Sequence, residues 1–578
     1  MTSLKSPALA AVFTATIAAM GTRAVPLAMH DANTVRAVGV GFTGVFRALD
    51  AVIAAPLMLF PFGTRALRSG LSSALVGAVA AAIAVVVLRE LITVVVPEAV
   101  ARVGLRSKEK VSPALIGAVS VVAVLIATLG PLWQIDITEP GTSALGAVFI
   151  LAALALAPKA ETQAPALALL LGLSLSYEPL AFVAAAAAIG PYARSFRPGA
   201  HAVVAFVLGL LPLGLGYAFS QRDPAMALAV PFLSDPQPVL GTSALAFVRE
   251  EIGLVLVVVA AVGGALAFMV PSARRASLSL GGVVAAGALS LYVHRGGAAL
   301  LAGFLAVHLL AGIALAAIVV AIARAPLPFA QASAALVVVL ELVLPVRAAD
   351  ESWTRRDGRA PRAAAWWTEL AWGPAPASAI VLLPTPTVHA RVAAAHALGE
   401  MRGDVVFVPA FDLRTRLGDR ALAAEPKLAP IYRDVALGTA PEELSFAQLA
   451  DQRPVLAAFD PRWDRTLARH LVPVGLLGRF ESEPRGLIDR RKALEAFGPS
   501  KERLVRVSVA RKDADLSRAT ASLLRARAIA MAATGDREVL SRALDDLRPF
   551  APDDPVSNTL VRRLVTTKGA IDISDLHP

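Results

Sequence analysis

VPLAMHDANTVRAVGVGFTGVFRALDAVIAAPLMLFPFGTRALRSGLSSA, residues Val25–Ala74, puts a short polar run, His30, Asp31 and Asn33, directly after a long apolar segment. An amphipathic stretch follows that never becomes a clean membrane span. Polar, irregular backbone at membrane depth is tolerated only where protein or water surrounds it. The stretch is therefore expected to form a large first external loop, 30–68, with a helix lying in the membrane surface and the remaining spans arranged around a cavity beneath it.

Composition points the same way. The chain has 578 residues, 56% of them hydrophobic and 17% charged, whereas the apolar share of a soluble protein is nearer ~45–50%. Lipid must be part of its solvent. The formal charge of +11 is spread over short loops and the C-terminal part, without an aromatic-interleaved basic stripe, so the partner it implies is membrane lipid and not nucleic acid. The absence of cysteine excludes disulfides, thiol catalysis and cysteine-ligated metal. His389 and His396 do not have the close spacing of a zinc helix, and no Gly-rich phosphate loop or nucleophile elbow stands out. Neither metal nor cofactor is expected.

Residues 7–29 read as an uncleaved first helix in preference to a signal peptide. Further spans are expected at 69–88, 112–130, 143–157, 165–177, 179–190, 201–219, 252–270, 278–293, 298–322 and 328–346, about eleven in all. The pair around Tyr177, Glu178 and Pro179 also reads as one broken element. The connection with Arg89, Arg102, Arg106, Lys108 and Lys110 is the densest basic cluster among the short loops, which marks it as cytoplasmic. The N-terminus then faces the cytoplasm, and the C-terminal domain lies outside a bacterial inner membrane, in the periplasm. Lys159, Arg194, Arg197, Arg274, Arg275 and Arg324 fall on the inner side, while the outer loop Trp133–Gly141 has no Lys or Arg.

The fold class expected is a polytopic α-helical membrane domain, 1–346, a linker, 347–376, a soluble α/β domain, 377–500, and a helical C-terminal region, 501–578. Apolar runs at Ile380–Leu383 and Val405–Val408 read as neighbouring strands. Arg453–Phe459, a helix after Arg462 and Val472–Phe480 are expected to continue the βα alternation. Leu516–Pro549 reads as two helices joined at Thr534-Gly535-Asp536, with a third helix after them, the layout of one tetratricopeptide-like pair.

Several stretches resemble a family of multipass proteins related to the protein O-mannosyltransferases, which have the GT-C glycosyltransferase architecture. Pro61-Phe62-Gly63 with RALRSGLSSA (Arg65–Ala74) resembles the end of that family's first loop and its second helix. LWQIDITEPGTSALGAVFILAAL (Leu132–Leu154) resembles its second loop, and LLLGLSLSYEPL (Leu169–Leu180) its next helical hairpin. Ser378–Leu413, Arg453–Trp463 and Leu471–Phe480 are similar to its external domain. The resemblance implies a cell-envelope enzyme that moves a sugar from a polyprenyl-phosphate donor to an external acceptor.

Such a reaction needs a carboxylate to take the acceptor's proton and cations to hold the departing phosphate. Asp31 is the candidate base, with a helix N-cap as its other reading. Asp136 and Glu139 lie on the second outer loop, and Glu139 is the better match to the family. Arg65 and Arg68 share a helix face and read as a phosphate clamp or as arginines snorkelling at a helix end. Glu178, between apolar runs, marks a cavity if it is buried. In the first loop the chain has His30-Asp31-Ala32-Asn33 near the family's acidic motif and Gly41-Phe42-Thr43-Gly44 in place of its His-Pro-Pro-Gly-like turn. A non-catalytic relative that binds polyprenyl lipid or assists envelope assembly therefore stays open, and a transporter is the third reading.

Overall fold

Proline and glycine decide where the apolar segments break. A computed structural model of the protein describes residues 5–22, 46–102, 112–138, 142–196, 198–220, 248–294, 297–325, 329–356, 360–383, 385, 388, 389, 391, 392, 395, 401–410, 416–510, 514–567 and 571–576. The chain divides into two compact units; among the described residues the first runs to Arg356, and the second holds Ser220 and the residues from Ala360 on.

Among the described residues the first unit has only helical elements. Its elements are α1 (Lys5–Met20), α2 (Ala48–Met58), α3 (Arg65–Arg102), α4 (Pro113–Thr128), α5 (Pro131–Ile137), α6 (Ala144–Leu156), α7 (Ala164–Tyr177), α8 (Pro179–Ile189), α9 (Ala200–Gly209) and α10 (Leu211–Ser220). After them come α11 (Leu254–Met269), α12 (Arg274–His294), α13 (Ala298–Ala323), α14 (Ala330–Glu341) and α15 (Val343–Arg356). Proline stands in the first turn of α4, α5, α7 and α8, where its missing N–H costs nothing and its fixed φ suits a helix start.

These starts shorten the helices, so the expected count of eleven spans is not reached by length. Among the described residues four helices are long and apolar enough to cross a membrane: Leu67–Arg102, Ala200–Ala218, Ala298–Ala323 and Ala330–Thr354. A fifth is reached if α4 and α5, bent by 69° at their break, count as one. Lys5–Met20, Ala48–Met58, Ala144–Lys159, Ala164–Tyr177 and Leu254–Met269 are apolar but shorter. A 14-residue helix such as α7 rises only about 21 Å, against ~30 Å of hydrocarbon.

Helix α13 is the centre of the bundle. Ala298 to Ala314 are buried without a break, as a helix apolar on all sides must be, and α3, α4, α6, α8, α11, α12 and α14 pack on it. Small residues allow a close crossing: a Cβ built on Gly303 would stand 2.9 Å from the Cα of Gly287 on α12. The outward side is apolar. Val203, Val204, Val207 and Leu208 on α9 and Leu336, Val339 and Leu340 on α14 are each more than half exposed. Contiguous apolar surface of this kind is rare on proteins bathed in water, so the unit is built as a lipid-facing helical bundle. Within the stretch expected to form the first loop, α2 buries Ala48, Asp50, Ala51 and Ala54 and exposes Val52 and Ile53. It packs against α3.

The second unit contains one sheet among its described residues. Strands β1 (Ile380–Leu383), β2 (Val406–Pro409), β3 (Val455–Ala457), β4 (Leu471–Val474) and β5 (Leu477–Phe480) lie in the order β2-β1-β3-β5-β4. β1 pairs in parallel with β2 and β3, and β5 pairs antiparallel with β3 and β4. The unbroken apolar run of β1 suits a central parallel strand covered on both faces. Ile380 and Leu382 enter one core with Phe446 and Phe459, while Val381 and Leu383 enter another with Trp367 and Trp372. The βα alternation expected through Val472–Phe480 gives way to a hairpin, because Gly475 takes a φ of 58° between β4 and β5 and lets the chain reverse.

Helices surround the sheet: α16 (Ala360–Trp372), α17 (Arg416–Ala424), α18 (Ala429–Ala436), α19 (Glu443–Ala450), α20 (Leu487–Val507), α21 (Ala514–Thr534), α22 (Arg537–Leu547) and α23 (Pro555–Thr566). Asp536 caps α22 by accepting from the N–H of Val539 at 3.4 Å, and Asp554 caps α23 by accepting from Ser557 at 2.8 Å.

A clasp holds the turn that leads into β1. Asp404 accepts from Nη2 of Arg402 at 2.7 Å and from the N–H of Ser378 at 2.9 Å, and Ser378 has a φ of 58°. The Arg402 guanidinium, helped by that N–H, brings the Asp404 carboxyl down from 3.8 to about 2. A depressed carboxyl stabilises above its unfolded pKa, and the contribution disappears as pH falls through the folded one. Hydrogen-exchange protection of peptides covering 377–383 in the full chain is therefore expected to drop as pH falls from 3.8 towards about 2. In Asp404→Asn that pH dependence should vanish. Protection that stays level in the native chain would reject the clasp.

Candidate functional site

Five segments of the first unit converge at one end of its bundle: the start of α2, the first turns of α3, the α5–α6 connection, the α7–α8 junction and the start of α13. They bring charged groups into an otherwise apolar interior. Arg47, just before α2, has a φ of 60°, a left-handed conformation that costs a non-glycine residue about 1–3 kcal/mol and needs surrounding structure to hold it. Its Nη2 donates to Oγ of Ser143 at 2.9 Å and lies 3.5 Å from Oε2 of Glu178. The side chains of this pair are 10% and 7% exposed. The guanidinium carbon also stands 5.3 Å from the centroid of the Tyr177 ring, within cation–π range.

Glu178 joins α7 to α8 in an extended conformation, as a residue before proline prefers. Its Oε2 accepts from the N–H of Ala298 at 3.1 Å, at a helix N-terminus that favours negative charge. Oε1 is buried and has no hydrogen-bond partner among the described residues. The preceding residue, Gly297, has a φ of 98°, and a Cβ there would run into the Glu178 carboxylate, 3.0 Å from Oε2.

A second chain of contacts adjoins the first. The Tyr177 hydroxyl donates to the Thr142 carbonyl and lies 3.3 Å from Oδ2 of Asp50. The Thr142 hydroxyl donates to Asp136 and accepts from the N–H of Ala144 at 3.0 Å. Asp50, Asp136 and Glu178 all lie close enough to Arg47 to act on it electrostatically. Among the described residues this sets three carboxylates around one guanidinium. A carboxylate held in a low dielectric can accept a proton, and a guanidinium beside it can hold an anion.

A cavity of about 10 Å³ beside Asp50, lined also by Ser72, Ser73 and Thr142, is at the threshold for a single water. The larger cavity, about 180 Å³, is elsewhere: Leu154, Pro158 and Tyr192 line it. Helix α6 starts at the charged cluster and ends at that cavity, and so does α8, so the two features occupy opposite ends of the bundle.

Asp136 and Glu178, both expected from the sequence, thus meet in one cluster through Thr142, Tyr177 and Arg47. Asp31 and Glu139 lie outside the described residues. Arg65 and Arg68 stand at the same end, in the turn of α3 before the cavity-lining Ser72 and Ser73. Arg65 is exposed, while Nη1 of Arg68 donates to the carbonyls of Met58, at 3.1 Å, and Phe60, which ties α2 to α3. Sequence reasoning missed Asp50, Arg47 and Tyr177 as site residues. A lone aspartate among the alanines of α2 was the available signal for the first.

No protein-family model matches the chain, and no curated protein matches it significantly.

Proposed function

We propose that the first unit is a membrane-embedded transferase of GT-C type, which moves a sugar from a polyprenyl-phosphate donor to an acceptor on the external side of a bacterial inner membrane. The observation that carries this reading is the buried cluster of Arg47 with Asp50, Asp136 and Glu178 at one end of the bundle. The likeness of the second loop and the α7–α8 hairpin to the O-mannosyltransferase-related family gives the reaction. The cluster end is read as external. Pro158 and Tyr192 line the far end, and the neighbours of these residues include Lys159 and Arg194, as the bias of basic residues towards the cytoplasm requires. The eleven apolar segments then cross partly as short, paired helices, with the N-terminus inside and the second unit outside.

In this mechanism Arg47, aimed by Glu178 and Ser143, holds the leaving phosphate. Asp50, beside the small cavity, takes the acceptor's proton. The test is to incubate the full chain in lipid nanodiscs with a panel of polyprenyl-phosphate sugars and follow donor consumption. Asp50→Asn is expected to abolish turnover while donor binding persists, since it removes a proton acceptor with little change of shape. Full activity of that variant rejects Asp50 as base. A second reading, a non-catalytic lipid-binding relative, is favoured by the tightness of the cavity beside Asp50, about 10 Å³. It expects donor to bind and never be consumed.

A further inference from the structure

The cavity at the far end of the bundle has apolar walls and a charged rim. Its volume, about 180 Å³, slightly exceeds the ~150 Å³ of a leucine-lined void that stays dry and accepts a benzene ring. Val87, Leu91 and Val94 of α3, Leu154 of α6 and Leu280 of α12 supply the walls. Ser279, also in the lining, spends its hydroxyl on the Ala188 carbonyl at 2.6 Å. One charged residue lines the cavity and an opposite charge stands beside the lining. Glu90 is an exposed lining residue with no ion pair among the described residues, and Arg275 is exposed and close enough to Tyr192 in the lining to act on it electrostatically.

The depth is that of a head group. Twenty-five residues separate Glu90 from the start of α3 at Arg65, a rise of about 38 Å, which exceeds the ~30 Å hydrocarbon core. Glu90 therefore lies at the interface opposite the charged cluster when the unit sits in a bilayer, and the argument rests on that membrane placement.

We propose that this cavity holds part of one acyl chain of a phosphoethanolamine lipid, with its phosphate at Arg275 and its ammonium at Glu90. The occupant follows from charge. A zwitterion with a primary ammonium satisfies both rim residues, a choline head group has no N–H to give Glu90, and an anionic glycerol head group leaves that carboxylate opposed by like charge. An empty apolar void of this size would forfeit contacts that a chain in the bilayer restores.

The full chain in nanodiscs of equal phosphatidylethanolamine, phosphatidylcholine and phosphatidylglycerol, released into native mass spectrometry, tests this without reference to turnover. The native chain should retain phosphatidylethanolamine over phosphatidylglycerol by about tenfold. Glu90→Gln, at an exposed position, should remove that preference, and Ala276→Phe, which fills the cavity, should reduce retention of all three lipids. Melting temperatures of the variants show that the fold persists. Equal retention by the native chain, a preference that survives Glu90→Gln, or retention unchanged in a folded Ala276→Phe overturns the proposal.

Discussion

Arg47→Ala is expected to destabilise the first unit by about 3–5 kcal/mol, the usual cost of removing one partner from a buried ion pair. The size follows from what is left behind. Glu178 keeps its contact with the Ala298 N–H but loses its cation, and Asp50 and Asp136 lose the guanidinium that acts on them. Arg47→Gly removes the same charge and relaxes the left-handed backbone at φ 60°, so it should lie about 1–2 kcal/mol above the alanine variant. In the double variant with Glu178→Gln the losses should not add, and a coupling of about 0.5–3 kcal/mol is the range for residues in contact. Unfolding of the purified chain in mixed detergent micelles measures all four states. A loss below about 1 kcal/mol, the surface ion-pair range, would mean that the pair is solvated and the cluster open to water.

How far the sequence could be read follows from which signals are local. Apolar segments and their breaks are local: Pro131 and Pro179 mark the starts of α5 and α8, and the uninterrupted IVLL of β1 shows a strand with two buried faces. The number of crossings is not local. It depends on whether a short helix such as α7 reaches across the bilayer alone or only as half of a hairpin, which packing decides. Glu178 could be flagged by its cost among apolar neighbours, yet its partner Arg47 lies 131 positions away in a loop whose basic residues look like exceptions to the topology. Arg68 carries a contact that its sequence neighbours do not show. Beside the readings as a phosphate clamp or a snorkelling side chain, its Nη1 donates to backbone carbonyls at the end of α2. The α2 C-terminus leaves carbonyls without helical partners, and a guanidinium within reach satisfies them.

Gly297→Ala is expected to have the second large effect, and to act on the site more than on the fold. The substitution meets two penalties at once. A φ of 98° is held at about 1–3 kcal/mol by a residue with a Cβ, and that Cβ would occupy space now filled by the Glu178 carboxylate, 3.0 Å from Oε2. The far end of a glutamate side chain can give way where backbone cannot, so the expected outcome is a displaced carboxylate and a loosened Arg47 contact, with the bundle intact. Gly281, on α12, has open space around it, and Gly281→Ala should be neutral or slightly stabilising because alanine favours a helix by about 1 kcal/mol. Melting temperature separates the two variants, and the Arg47–Glu178 coupling measured on the Gly297→Ala background should fall towards zero. If that coupling persists undiminished, Gly297 does not position Glu178, and the close approach of the α13 start to the α7–α8 junction is a feature of packing alone.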